Sequence, residues 1–303
     1  MFDMSEKKYS HVMLIGVDGA GGYFKVADTP NFDRIFANGA VTYDALASNP
    51  TISAECWGAM ILGVGPEVHK LTNENIEDHS YPLDSKFPSV FRRIREKYPD
   101  AAIGSYCCWN SINIGLIEDG TNVDLGHARD DDMAPKICEY IKEKKPTFLF
   151  VQFDSVDGAG HNEGYGSEKY LKRISEIDVL LGNIYAAVEE AGIADDTLFM
   201  VIADHGGDGW GHGGWTDTEK YVTFAAAGKD VEKSTIPEMN IRDSAAIVLY
   251  ALGIDQPKFE EDGWTAQIPD GIWPETDGKY RDISHLTGAE PRISRTQHHS
   301  EPV

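Results

Sequence analysis

No stretch of this sequence approaches the roughly twenty apolar residues that a membrane-spanning helix requires. The first apolar run, Val12 to Val17, is shorter than the hydrophobic region of a signal peptide and is followed at once by Asp18. Cysteine is scarce: Cys56, Cys107, Cys108 and Cys138 show no C-x-x-C spacing, and an adjacent pair rarely closes a disulfide. The expectation is reduced thiols in the cytoplasm and no association with membranes. Basic residues are also in short supply, with 27 Lys and Arg against 50 Asp and Glu and a formal net charge of −23. Such a surface repels nucleic-acid backbones and anionic lipid, so no nucleic-acid polymer is expected as a partner. Acidic pockets do attract metal cations, and a bound cation reverses the local sign for a small anionic substrate. The sequence contains no internal repeat.

What is present is an alternation of strand-like and helix-like segments. The runs "HVMLIGVD" (11–18), "AAIGSYCC" (101–108), "TFLFVQFD" (147–154), "TLFMVIAD" (197–204) and "KYVTFAAAG" (220–228) are continuously apolar rather than alternating. That pattern predicts strands buried on both faces. Helical patterns are centred on Thr29 to Ala37, Ser89 to Lys97, Met133 to Lys144, Ser167 to Gly192 and Ile241 to Leu252. Several carry start and stop signals, such as Thr29-Pro30 and the Ser167 and Gly192 that bracket the longest. The expected fold is α/β: a mostly parallel central sheet with helices on both faces, in one domain over residues 1–303. The polar stretch from about 104 to 132 breaks the alternation and is expected as a small cap or insertion, and about 290–303 as a flexible tail.

In open α/β sheets ligands collect beyond the carboxyl ends of the strands. Asp18, Asp157 and Asp204 stand at or just past three such ends, with Asp154 beside them as a capping or supporting residue. In "DGAGH", His161 follows Asp157 by four residues, and the small residues between them predict a loop that turns both side chains together. In "ADHGGDGWGHGG" (203–214), His205 adjoins Asp204, and a glycine-rich turn leads to His212. Three Asp and three His suit two borderline divalent ions, Zn²⁺ first, with Mn²⁺ or Fe as options. A hydroxyl nucleophile is offered by Thr51 or Ser53, just before an apolar, helix-compatible stretch at 54–62. Each motif alone has a bland reading: Asp-Gly is common turn chemistry, and a Ser before a helix is most often an N-cap. His69 reads as structural, and His11, His79 and His127 as surface residues.

Taken in order, these segments resemble the alkaline phosphatase superfamily, especially its type I phosphodiesterase/nucleotide pyrophosphatase branch. "VDG" with "TPNFDRIFANGA" resembles the first metal Asp and its following helix, and "PTISAECWGAMILGVGPEVHKLTN" the nucleophile segment. "DGAGH" and "ADHG" are similar to the Asp-x-x-Gly-His and Asp-His-Gly motifs. The resemblance implies Ser53, not Thr51, as nucleophile and as an oxygen ligand. It implies one metal held by Asp18, Asp204, His205 and Ser53, and a second held by Asp157, His161 and a final histidine. His285, His298 and His299 lack the branch's surrounding pattern. "GWGHGGWTDTEKY" is instead similar to the arrangement in phosphoethanolamine-transferase relatives, which assigns the last ligand to His212. The branch's phosphate-binding Asn corresponds to Asn73, with Asn75 the neighbouring option.

Two departures from the branch stand out. Its Thr-Phe-Pro-Asn-His becomes Ser53-Ala54-Glu55-Cys56-Trp57, and the Cys/Ser-x-Pro-x-Arg context of sulfatases is absent, with Glu at 55 and Trp at 57. The expected function is a two-metal hydrolase of phosphate esters, phosphodiesterase- or nucleotide pyrophosphatase-like, working through a phosphoserine on Ser53. A phosphomonoesterase is the nearer alternative. It would want an extra cationic group, yet no Arg occurs between Arg34 and Arg92. A phosphoryl-group transferase and a non-catalytic metal-binding protein are the remaining alternatives.

Overall fold

The computed structural model describes residues 7–260 and 263–281. The tail expected at 290–303, together with His285, His298 and His299, lies outside the described residues.

Eight strands form one sheet: β1 (His11–Val17), β2 (Ala40–Leu46), β3 (Ile103–Cys107), β4 (Asp124–Gly126), β5 (Phe148–Phe153), β6 (Thr197–Ile202), β7 (Tyr221–Ala227) and β8 (Ser234–Thr235). Their spatial order is β4-β3-β5-β1-β6-β7-β2-β8. Neighbours pair in parallel from β4 through β6. β7 pairs antiparallel with both β6 and β2, while β2 and β8 are again parallel. Every residue of β5 and β6 is buried, as their unbroken apolar runs predict.

The register shows which helices cover which face. Met13 of β1 pairs with Leu149 of β5 and with Phe199 of β6, so these three side chains share a face. Tyr185 of α8 (Glu168–Glu190) packs edge-on against Phe199, ring centroids 5.1 Å apart. The neighbouring Phe148 and Phe150 project to the opposite face. There Trp57 of α2 (Ser53–Leu62) meets Phe150, and Phe91 of a helix at Val90–Lys97 meets both. A Cβ on Gly16, on the same face as Phe150, would fall 2.4 Å from the Trp57 ring, so the strand is glycine where the indole lies on it. Helices on both faces of a mostly parallel sheet are what the sequence predicts.

Three features differ from that prediction. β2 carries the half-polar "VTYD" and alternates in burial, because it lies next to the last strand of the sheet, and a strand there need be apolar on alternate residues only. The stretch 104–132 is not an excursion as a whole: β3 and β4 take places in the sheet, and the residues joining them contain a helical turn at Ser111–Gly115. Its polarity reflects an edge position. Third, "DGAGH" is not a loop but the middle of α7 (Ser155–Glu163). The carboxylate of buried Asp130 accepts the backbone N–H groups of Asp154 (3.1 Å) and Ser155 (3.0 Å), satisfying donors that would otherwise be orphaned at the helix start. A helix seeded in this way tolerates Gly158 and Gly160.

The four cysteines are free thiols. Among the described residues, no helix is long and apolar enough to cross a membrane.

Candidate active site

β5, β1 and β6 are adjacent and parallel, so their carboxyl ends open on one edge of the sheet. Asp18 follows β1 directly, α7 follows β5, and Asp204-His205 follows β6. Two groups of side chains that could hold a metal ion gather there: Asp18, Asp204 and His205, all buried, and Asp157, His161 and His212, closer to solvent. Within each group one donor atom per residue lies within 4.8 Å of the others.

In the buried group every donor is fixed from behind. Asp18 accepts at Oδ2 from Trp57 Nε1 and from Gln152 Nε2, both at 3.0 Å. Asp204 accepts at Oδ1 from the backbone N–H groups of Gly19 (3.0 Å) and His205 (2.8 Å). The remaining oxygens, Asp18 Oδ1 and Asp204 Oδ2, are buried and have no hydrogen-bond partner. They stand 3.5 and 3.4 Å from His205 Nε2. Buried carboxylate oxygens left bare are costly unless a cation neutralises them. The pair therefore fits a metal, with His205 Nε2 as a third donor.

The second group is built on α7 and the 206–214 loop. Asp157 and His161 are one helical turn apart, with Oδ2 and Nε2 separated by 3.2 Å. His212 brings its Nε2 to 3.9 Å from Asp157 Oδ1. The loop is closed by paired bonds between Asp208 and Gly211, so it is a hydrogen-bonded turn rather than a free hinge.

All three histidines share one arrangement. Nδ1 of His205 faces the carbonyl of Gly206 (2.9 Å), that of His161 the carbonyl of Trp210 (2.9 Å), and that of His212 the carbonyl of Thr51 (2.7 Å). A carbonyl oxygen only accepts, so each Nδ1 carries the proton and each Nε2 presents a lone pair. Metal-ligating histidines are held in this way. Burial lowers the pKa of His205, and burial together with the stacked His205 ring lowers that of His212, so both stay neutral and able to ligate.

Ser53 is the first residue of α2, and its hydroxyl donates to His205 Nε2 at 3.2 Å. Thr51 is committed elsewhere: its Oγ1 donates to the Gly214 carbonyl (3.0 Å) and accepts from Gly213 N (2.9 Å), tying the His212 loop to the strand of chain before Ser53. Asn73 accepts at Oδ1 from Ala54 N (3.0 Å), beside Ser53, whereas Asn75 bonds Thr72 N and the Lys70 carbonyl within its own turn. Of the two asparagines, Asn73 is therefore the one beside Ser53.

Burial, then the neighbouring Asp204, Asp157 and Asp154, pushes Asp18 well above the usual carboxylate range. Asp204 is pushed up to about 8, chiefly by burial, with Asp157 adding to it and the Gly19 and His205 amides opposing it. Asp154 joins neither trio; it accepts from Gln152 Nε2 at 3.1 Å. His69 is buried, bonds the Glu55 carbonyl and the Leu71 amide, and is held near pKa 4 by burial, a structural role. His79 and His127 are exposed, and half-buried His11 bonds the Pro146 carbonyl. Sequence reasoning missed Trp57, Gln152, Asp130 and Tyr165, which support the site from outside; nothing in a single sequence marks a residue that acts through its neighbour.

Residues 104–285, more than half of the chain, match the family model described as "Type I phosphodiesterase / nucleotide pyrophosphatase". GPI ethanolamine phosphate transferase 2 of Aspergillus fumigatus is 22% identical over 263 residues, covering 84% of this chain and 34% of that protein. Ectonucleotide pyrophosphatase/phosphodiesterase family member 3 of Rattus norvegicus is 20% identical over 217 residues, covering 65% of this chain and 25% of that protein. The chain thus spans about a third or less of the length of these curated relatives. Among solved structures, murine ectonucleotide pyrophosphatase/phosphodiesterase 5 superposes with a TM-score of 0.67 at 16% identity, over 83% of this chain and 98% of that one. The human counterpart gives 0.68 at 15%, over 86% and 100%. These two share the fold of the alkaline phosphatase superfamily, and the chain belongs to the type I phosphodiesterase/nucleotide pyrophosphatase family within it.

Proposed function

We propose that this protein is a metal-dependent hydrolase of small phosphate diesters that works through a phosphoserine on Ser53. The observation that carries the reading is the pair of bare, buried oxygens, Asp18 Oδ1 and Asp204 Oδ2, gathered around His205 Nε2, the atom the Ser53 hydroxyl also meets. Asp18, Asp204, His205 and Ser53 would hold one ion, and Asp157, His161 and His212 the other. Zinc suits these donors best, with manganese or iron accepted according to supply. Two such ions, when bound, supply positive charge to the phosphoryl oxygens, lower the pKa of a hydroxyl, and stabilise the leaving oxygen.

The chain's own residues do the rest. Ser53, at the start of a ten-residue helix, presents Oγ where the helix dipole favours an anion. Its oxygen forms the new bond to phosphorus in line as the bond to the leaving alkoxide breaks, and water later hydrolyses the serine ester. Asn73, fixed through Oδ1 by the Ala54 amide, offers Nδ2 to a non-bridging oxygen. The segment that carries Ser53 has no Arg between Arg34 and Arg92, which favours a diester monoanion over a monoester dianion.

The testing experiment is a substrate panel on metal-reconstituted protein beside a metal analysis. Bis(p-nitrophenyl) phosphate is expected to turn over at least about tenfold faster than p-nitrophenyl phosphate, a difference of one pKa-sized step in barrier. The reverse order would make the protein a monoesterase, and no turnover with metals bound would leave a binding protein. A transferase reading is favoured by the 84% of the chain that aligns with an ethanolamine phosphate transferase. It differs in the last step, with an alcohol replacing water, and product formation rising with added ethanolamine-type alcohols would reveal it.

Metal binding is expected to release protons. With Asp204 at about 8 against an ordinary 3.8, the metal-free folded protein holds a proton there that a cation must displace. Asp18, pushed up by burial and by Asp204, adds to this, so affinity should rise with pH through the neutral range. Titration calorimetry at pH 7 in buffers of different ionisation heat checks this: the apparent enthalpy should vary with the buffer, and a buffer-independent value would contradict it.

A further inference from the structure

Tyr165 lies between the two elements that carry the second ligand group. It follows α7 at the turn Gly164-Tyr165-Gly166, where both glycines have positive φ (89° and 80°), a backbone that swings the intervening side chain back over the helix. Its backbone N–H donates to the Gly209 carbonyl at 2.9 Å, fastening the turn to the 206–214 loop. Its ring packs edge-on to His161 at 5.8 Å and to His212 at 6.4 Å between centroids. Its hydroxyl donates to Asp157 Oδ1.

The ring also accounts for two glycines. A Cβ on Gly160 would come within 2.4 Å of Tyr165 Cε1, and one on Gly207 within 2.5 Å of Cδ1. Neither glycine has a positive φ, so it is the missing side chain and not backbone freedom that these positions supply. One aromatic ring thus sets the spacing between the helix bearing Asp157 and His161 and the loop bearing His212.

We propose that Tyr165 is the positioning residue of the Asp157–His161–His212 group. Its hydroxyl engages Asp157 Oδ1, so that Oδ2, already 3.2 Å from His161 Nε2, is the oxygen presented to a cation. Its ring holds the two histidines at the separation the ion requires. The proposal rests on the two-metal reading given above, and the test separates the two.

The experiment is a Co²⁺ titration of the metal-free protein, followed by visible absorption, on wild type, Tyr165→Phe and Gly207→Ala. Wild type should bind two ions. Tyr165→Phe keeps the ring and loses the hydroxyl: its second site should weaken about 10- to 100-fold, as for other partners of metal ligands. Its first site should be unchanged. Freed Oδ1 lets Asp157 bind through both oxygens, so the d–d absorption of the second ion should fall as its coordination number rises. Gly207→Ala displaces the ring and should weaken the same site while the hydroxyl is still present. Two unchanged sites in Tyr165→Phe would overturn the proposal, as would equal weakening of both sites together with a lowered unfolding temperature, the mark of a merely structural residue. Fewer than two ions in wild type would overturn the two-metal reading, and this inference with it.

Discussion

Ser53→Ala is expected to lose about 10³- to 10⁶-fold in turnover, the range seen when a nucleophile is removed, and to keep both metal ions. Alanine is the best helix former, so α2 should begin where it does now, with its apolar side buried against the sheet. What disappears is one oxygen, the atom that now donates to His205 Nε2. The other donors of the buried group are fixed independently: Asp18 by Trp57 and Gln152, Asp204 by two backbone amides, and His205 by the Gly206 carbonyl. Metal content by elemental analysis should therefore match wild type within error. Thr51 cannot take over, because its hydroxyl is bonded on both sides to the His212 loop. Quenching wild type during turnover and mapping phosphate to the peptide bearing Ser53 gives the complementary positive result. Near-normal turnover in Ser53→Ala would end the phosphoserine mechanism.

The same residues show what a sequence reveals and what it hides. β1, β5 and β6 are legible because a strand covered on both faces must be apolar throughout, and Asp18, Asp157 and Asp204 stand out because each breaks or follows such a run. β2 is not legible, since a strand near the sheet's margin needs only alternate apolar residues and "VTYD" satisfies that weakly. The pairing of Asp157 with His161 was readable as a four-residue spacing, but its setting was not. Gly158 and Gly160 argue against a helix locally, and the helix is started by Asp130, distant in sequence. Trp57 shows the limit most clearly. As a residue of an apolar helix it reads as core, and it is core, yet its indole N–H, with Gln152, engages Oδ2 of Asp18 and leaves Oδ1 bare. Polar work done by an apolar-looking residue leaves no trace in periodicity.

His212→Ala should weaken one metal site by more than about a hundredfold and leave the other nearly unchanged, since losing a ligand costs more than losing a ligand's partner. Asp157 and His161 would remain as two donors on one helical turn, too few to hold an ion tightly. Turnover should fall by at least about a hundredfold, the effect of removing one preorganised group that stabilises transition-state charge. The buried site is the informative control, because His212 touches it: the His205 and His212 rings stack at 3.9 Å with an 18° tilt, and the His212 Nδ1–H holds the Thr51 carbonyl just before Ser53. If His212 acted mainly by bracing His205 and the nucleophile segment, both sites would weaken together. If it is a ligand, added Zn²⁺ at high concentration should restore activity in proportion to occupancy of the second site, while Ser53→Ala stays silent at any concentration. The segment 205–214 makes that separation testable, because it carries His205 of the buried group and His212 of the other, and is closed on itself between them by the Asp208–Gly211 pair.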